Sequence, residues 1–154
     1  MKYVKEKLKG RKGQAFAEFA MMLPLMLFLI IVGLILALAI NSKLTISNAS
    51  HEAARVAAVT TDEDKIRAIA ENGVINGGLM YQYESMTTFD PENDITINRH
   101  SDGTVSVTIQ YKQPTIVPLI GGLLGNPDFW GTSIQLESSA RFLDETKLVP
   151  EGTG

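Results

Sequence analysis

Glu18 is the residue whose chemistry is hardest to place. It stands against an apolar run, flanked by Ala15, Phe16, Ala17, Phe19 and Ala20, and an ionised carboxylate at the centre of a bilayer costs about 3 kcal/mol. Two readings follow. At the level of the lipid headgroups the carboxylate needs no partner. Deeper, it waits for a cation, such as the amine of a neighbouring subunit, and so sets the register of a helical assembly. Other chemistry is sparse. His51 and His100 have no Asp or Glu at the spacing of a zinc or hydrolase motif, and His51 with Glu52 and Arg55 reads as a polar helix face. Asp62, Glu63 and Asp64 suit a helix N-terminus better than a calcium loop, whose ligands spread over about twelve residues. Gly121-Gly122-Leu123-Leu124-Gly125 lacks the Lys-Ser/Thr ending of a phosphate loop, and no nucleophile elbow or dinucleotide fingerprint occurs. Asn48-Ala49-Ser50 matches a glycosylation sequon, which by itself carries no function. The expectation is a non-enzymatic protein with no catalytic residue, cofactor, metal site or small-molecule substrate.

The element that must position Glu18 is a long apolar helix. From Phe19 to Ser42 there are 24 residues without a charge, and Ala20 to Ile40 is interrupted only by Pro24 and Gly33. At about 1.5 Å per residue such a run covers roughly the 30 Å hydrocarbon core of a bilayer. Pro24 lacks an N–H and should kink or loosen the helix near its start unless neighbours compensate. Ahead of the run, residues 1–13 hold six Lys/Arg against one acid, Glu6, for a charge of +5, while the remainder carries −8. A basic arm on an otherwise acidic chain argues for the positive-inside rule rather than for nucleic acid. The N-terminus is expected in the cytoplasm, with the chain from about residue 43 outside. A secretory signal peptide cut at Ala37-Leu38-Ala39 is the alternative, but the apolar run is longer than the usual ~7–15-residue signal core.

The rest amounts to one small domain: 154 residues in all, 45% hydrophobic, with no cysteine and therefore no disulfide framework. Residues 41–59 contain no Pro or Gly and are rich in Ala, so the helix should continue beyond the membrane, its small residues allowing close packing. Thr60 or Thr61 is expected to cap a second helix whose apolar face includes Ile66, Ile69 and Ala70, stopping at Asn72-Gly73 or at Gly77-Gly78. Alternation in Asp94–Asn98 and Thr104–Tyr111 around Ser101-Asp102-Gly103 predicts a β-hairpin with Val105, Val107, Ile109 and Tyr111 on one face. A third strand is expected at Ser133–Phe142, with Ile134, Leu136, Ser138, Ala140 and Phe142 sharing one parity. The fold class is therefore α+β: a membrane helix running into a domain with a second helix and a three- to four-stranded antiparallel sheet. Residues 113–130, rich in Pro and Gly yet apolar, should be buried against their own sheet, a partner or the membrane. The tail 150–154 is expected to be disordered.

Arg11-Lys12-Gly13-Gln14-Ala15-Phe16-Ala17-Glu18-Phe19-Ala20, followed by the Pro24-containing helix, resembles the class III signal of type IV pilins and pseudopilins, and more narrowly that of TadE-like minor pseudopilins of tight-adherence pilus systems. Asn48-Ala49-Ser50-His51-Glu52-Ala53-Ala54-Arg55 resembles the small-residue run that follows the anchor in that family; Arg55 is kept, while His51-Glu52 and Val56 depart from it. The resemblance implies a leader, residues 1–13, removed by a prepilin peptidase between Gly13 and Gln14. Glu18 then becomes the fifth mature residue, guiding assembly with Phe19 and Pro24. It also implies an assembly helix over 14–42, an extracytoplasmic pilin-like domain over 43–149, and N-methylation of Gln14. The implied partners are the peptidase, other pilins or pseudopilins, the inner-membrane assembly platform and the bilayer. The competing expectation is a permanently anchored extracytoplasmic binding or sensor module whose leader is never removed.

Overall fold

The structure, a computed structural model, describes residues 2–83, 86–115 and 133–147, with residues 2–12 as helical backbone only. The chain divides into two units, Met1–Ala37 and Leu38–Gly154. Helix α1, Lys2–Val59, runs through both.

In the first unit every described side chain from Gly13 to Ile30 is exposed, including Phe16, Phe19, Met21, Leu25 and Leu29. A helix apolar on all sides with nothing packed on it belongs in lipid or against other helices. Among the described residues α1 is the one helix long and apolar enough to cross a membrane, and its apolar window has no buried share. Pro24 sits inside it without ending it. The helix also begins well before the apolar run, so the basic leader is helical backbone from Lys2.

In the second unit the Ala-rich end of α1 forms one wall of the core, as its composition predicts: Ile46, Ala49, Ala53, Ala54, Ala57 and Ala58 are all buried. Helix α2, Glu63–Asn76, adds Ile66, Ala70 and Val74. Its cap is Asp62, not Thr60 or Thr61. The Asp62 side chain accepts from the Lys65 N–H at 3.2 Å, and Thr60 Oγ1 instead accepts from the Asp62 N–H at 3.3 Å. A carboxylate at this position meets both the orphan N–H and the positive helix end, which a hydroxyl does less well. Gly73 does not stop α2; Gly77 does, its N–H bonding back to the Gly73 carbonyl.

Among the described residues five strands follow. The two-residue pair β1, Gln82–Tyr83, and β2, Met86–Thr87, is an addition to the expected plan. The main sheet is β3, Ile95–Arg99, β4, Thr104–Pro114, and β5, Ser133–Leu143, antiparallel in the order β3-β4-β5. Gly103, at φ 78°, makes the hairpin turn in the left-handed region that favours glycine. Strand β4 outruns its expected end at Tyr111 and takes in Gln113 and Pro114, which pair with Ile134 and Ser133. Its odd-numbered residues Val105, Val107, Ile109 and Tyr111 are buried as the alternation predicts. On β5 the parity is right, since Phe142, Ala140, Ser138 and Leu136 lie opposite Val105, Val107, Ile109 and Tyr111. Phe142 is nevertheless exposed, its ring meeting His51 edge-on at 6.3 Å. Phe89, next to β2 and stacked on Tyr81 at 5.7 Å, completes the core. Most of the expected apolar loop, from residue 116, and the tail 150–154 lie outside the described residues.

Candidate processing and assembly site

The site begins at a glycine. Gly13 is exposed within α1, and a Cβ built there would meet nothing within 4 Å. After proline, glycine is the residue that gains least from helix formation, so the backbone around Gly13 opens at lower cost than a neighbouring turn of alanines. One residue on, Gln14 lies a single helical turn from Glu18, and its Nε2 donates to Glu18 Oε1 at 3.1 Å. The i,i+4 spacing places the two side chains one above the other. Both are exposed, and among the described residues Glu18 forms no ion pair. The carboxylate is thus held by a neutral amide from its own chain, with acceptor capacity left on its other oxygen. Phe19, 57% exposed, and Pro24 follow on the same unpacked helix.

Asn48, Glu52 and Arg55 are exposed on the outer part of α1, four and three residues apart and so on one face. His51 is exposed beside them and spends its ring on Phe142. His100 Nε2 lies 2.9 Å from Ser106 Oγ at the hairpin. Among the described residues no group of three or more His, Cys, Asp or Glu is arranged to hold a metal.

Two cavities are lined by described residues of the second unit. One, of about 250 Å³, is lined by Asp94, Lys112 and Glu137 with Gln110 and Gln135; the other, of about 200 Å³, by Leu38, Asn41, Leu79, Met80 and Tyr111. Both are smaller than the roughly 300 Å³ at which small-molecule pockets begin.

Sequence reasoning did not find the pair that ties the sheet to the end of α1. Arg99 Nη1 donates to Asp144 Oδ2 at 2.7 Å, while its Nη2 donates to the carbonyls of Thr60 at 2.6 Å and Ala57 at 3.3 Å. Nothing local marks these partners, which stand 45 residues apart in the chain.

Compared with known proteins, the chain matches no curated protein and no solved structure. It does match one family model, and the matched stretch starts at Gly13, takes in Gln14, Glu18, Phe19 and Pro24, and ends at Arg55. Residues 13–55, which carry the processing and assembly candidates, match the model of the family described as TadE-like protein, the family to which the sequence motifs pointed.

Proposed function

We propose that this protein is a structural component or assembly factor of a tight-adherence, type IV-like pilus, made as a precursor and trimmed between Gly13 and Gln14 by a prepilin peptidase. The observation that carries it is the coincidence of the family match, which begins at Gly13, with a helix exposed on every side from that point to Ile30 and apolar from Phe19 onward. The basic arm stays on the cytoplasmic face and the second unit lies outside the inner membrane. Cleavage frees a cationic amine on Gln14. In an intact helix the i,i+4 relation already holds Gln14 over Glu18, so the amine arises close to a carboxylate able to accept a charge-assisted hydrogen bond. That carboxylate then selects between the amine of its own chain and that of an incoming subunit. The apolar helix packs with its neighbours in the assembly, or with lipid before it.

Intact mass and N-terminal sequencing of the protein in its own membrane, with and without the peptidase, test this reading. The expected mature chain starts at Gln14 only when the peptidase is present, and Gly13→Leu blocks the cut. Glu18→Gln is expected to leave cleavage unchanged and to lower recovery of the protein in sheared pili. A chain that keeps Lys2 to Gly13 in both backgrounds refutes the reading and leaves an anchored module.

A further inference from the structure

We propose that the exposed face of α1 between Asn41 and Val59 is a contact surface for a second copy of this chain lying parallel to it, with Glu52 of one copy meeting Arg55 of the other. The proposal rests on the membrane assembly proposed above, because copies anchored by the same helix with the same orientation necessarily present their α1 segments in parallel. At about 3.6 residues per turn, Asn41, Leu44, Asn48, Glu52, Arg55 and Val59 share one stripe of the helix, opposite the alanines of the core. All six are exposed, Leu44 by 59% and Val59 by 63%.

The polar groups of this stripe are unengaged, whereas the other described arginines are not. Arg67 donates to the carbonyls of Pro91 and Ile95, Arg99 to Asp144, and Arg141 to Asp102. Arg55, alone among the arginines whose side chains are described, has no hydrogen bond, ion pair or ring contact, and Glu52 and Asn48 have none either. A carboxylate and a guanidinium one turn apart on the same face are self-complementary between parallel copies. Glu52 reaches Arg55 of the second copy, and its Glu52 reaches Arg55 of the first, while Asn48 brings an amide able both to donate and to accept. Leu44 and Val59 supply apolar contacts at the two ends. The extent of the family match agrees with this, since it runs through the stripe to Arg55 and leaves out the whole sheet.

The absence of cysteine from the chain makes the test direct. Asn48→Cys is oxidised in native membranes beside Ser139→Cys, which lies on the exposed outer side of β5. The expected result is a disulfide-linked dimer of twice the chain mass from Asn48→Cys, roughly tenfold more abundant than from Ser139→Cys. Added to Asn48→Cys, Glu52→Arg or Arg55→Glu should each cut the dimer roughly threefold, and the two together should restore it. Equal yields at the two cysteines, a cross-link to a chain of different mass, or a double swap that fails to restore the dimer overturns the surface. Running the series with and without the peptidase separates the two proposals. No dimer from a chain that starts at Gln14 removes this surface and leaves processing intact; a dimer from chains that keep their leader even with the peptidase present removes processing alone.

Discussion

A single carboxylate fixes how the second unit closes. Asp144 is buried, and both its oxygens are used: Oδ2 by Arg99, and Oδ1 by the hydroxyl of Thr146 at 2.5 Å and its N–H at 3.2 Å. Chiefly the Thr146 hydroxyl, and with it the Arg99 guanidinium, hold the Asp144 carboxyl below the usual carboxylate range, against burial, which pushes it up. A carboxylate whose pKa is lowered by folding contributes stability above its unfolded pKa of about 4 and loses it as the pH falls through the folded value. The melting temperature of the full chain in detergent should therefore exceed that of Asp144→Asn at pH 7, and the gap should close as the pH drops below about 4. A gap that stays constant to low pH contradicts the ionised pair. Arg99→Ala removes the guanidinium from Asp144 and from two carbonyls at the end of α1, and should cost roughly 3 kcal/mol in denaturant melts. The residues of the proposed processing site were legible in the sequence because Gly13, Gln14 and Glu18 are near neighbours and one turn of helix is enough to relate them. Arg99 and Asp144 were not, because only the folded sheet brings them together.

Between elements, α2 approaches α1 closely at Gly73. A Cβ there would stand 2.8 Å from Ala49 Cβ and 3.1 Å from Ala49 Cα. The second of these atoms is backbone and cannot swing aside. Gly73→Ala gains about 1 kcal/mol of helix propensity if the space exists, whereas overpacking costs about 1–3 kcal/mol where it does not. At 2.8 Å steric repulsion wins, so Gly73→Ala should destabilise the domain. Ala49→Gly in the same chain should recover much of the loss, a coupling measured by a double-mutant cycle of thermal melts. If Gly73→Ala is stabilising, the two helices are not in contact at this point. Gly73 also shows where sequence reasoning reaches its limit. Read alone, Asn72-Gly73 signals a helix stop, but here glycine serves packing and the helix runs on to Asn76. Periodicity carried the hairpin because Val105, Val107, Ile109 and Tyr111 need only their own strand to declare a face. Phe142 has the same parity on β5, yet it lies beyond the reach of the core near the end of that strand, and no local signal says so. The short β1–β2 pair left no alternation to read.

At the scale of the molecule, burial separates the chain into parts with different solvents. Every buried apolar residue among those described lies between Ile46 and Ala140, while the large apolar side chains from Phe16 to Ile30 are exposed without exception. The buried apolar core of the second unit is thus built from residues that follow the apolar run. The run needs an environment of its own, since an apolar stretch of this length, mostly exposed, favours insertion or aggregation in water. A chain starting at Leu38, the boundary between the two units, should therefore stay in solution without detergent and unfold in one cooperative step by circular dichroism. The full chain should remain with the membrane after an alkaline carbonate wash and leave it only with detergent. Arg99 remains in the shorter chain together with Asp144, Ala57 and Thr60, so the Arg99→Ala loss should be similar in both contexts. A non-cooperative melt of the shorter chain would mean that the membrane part of α1 is needed to fold the core. A normal melt with an undiminished Arg99→Ala effect would mean that membrane insertion and domain folding are separate events, joined by a continuous helix.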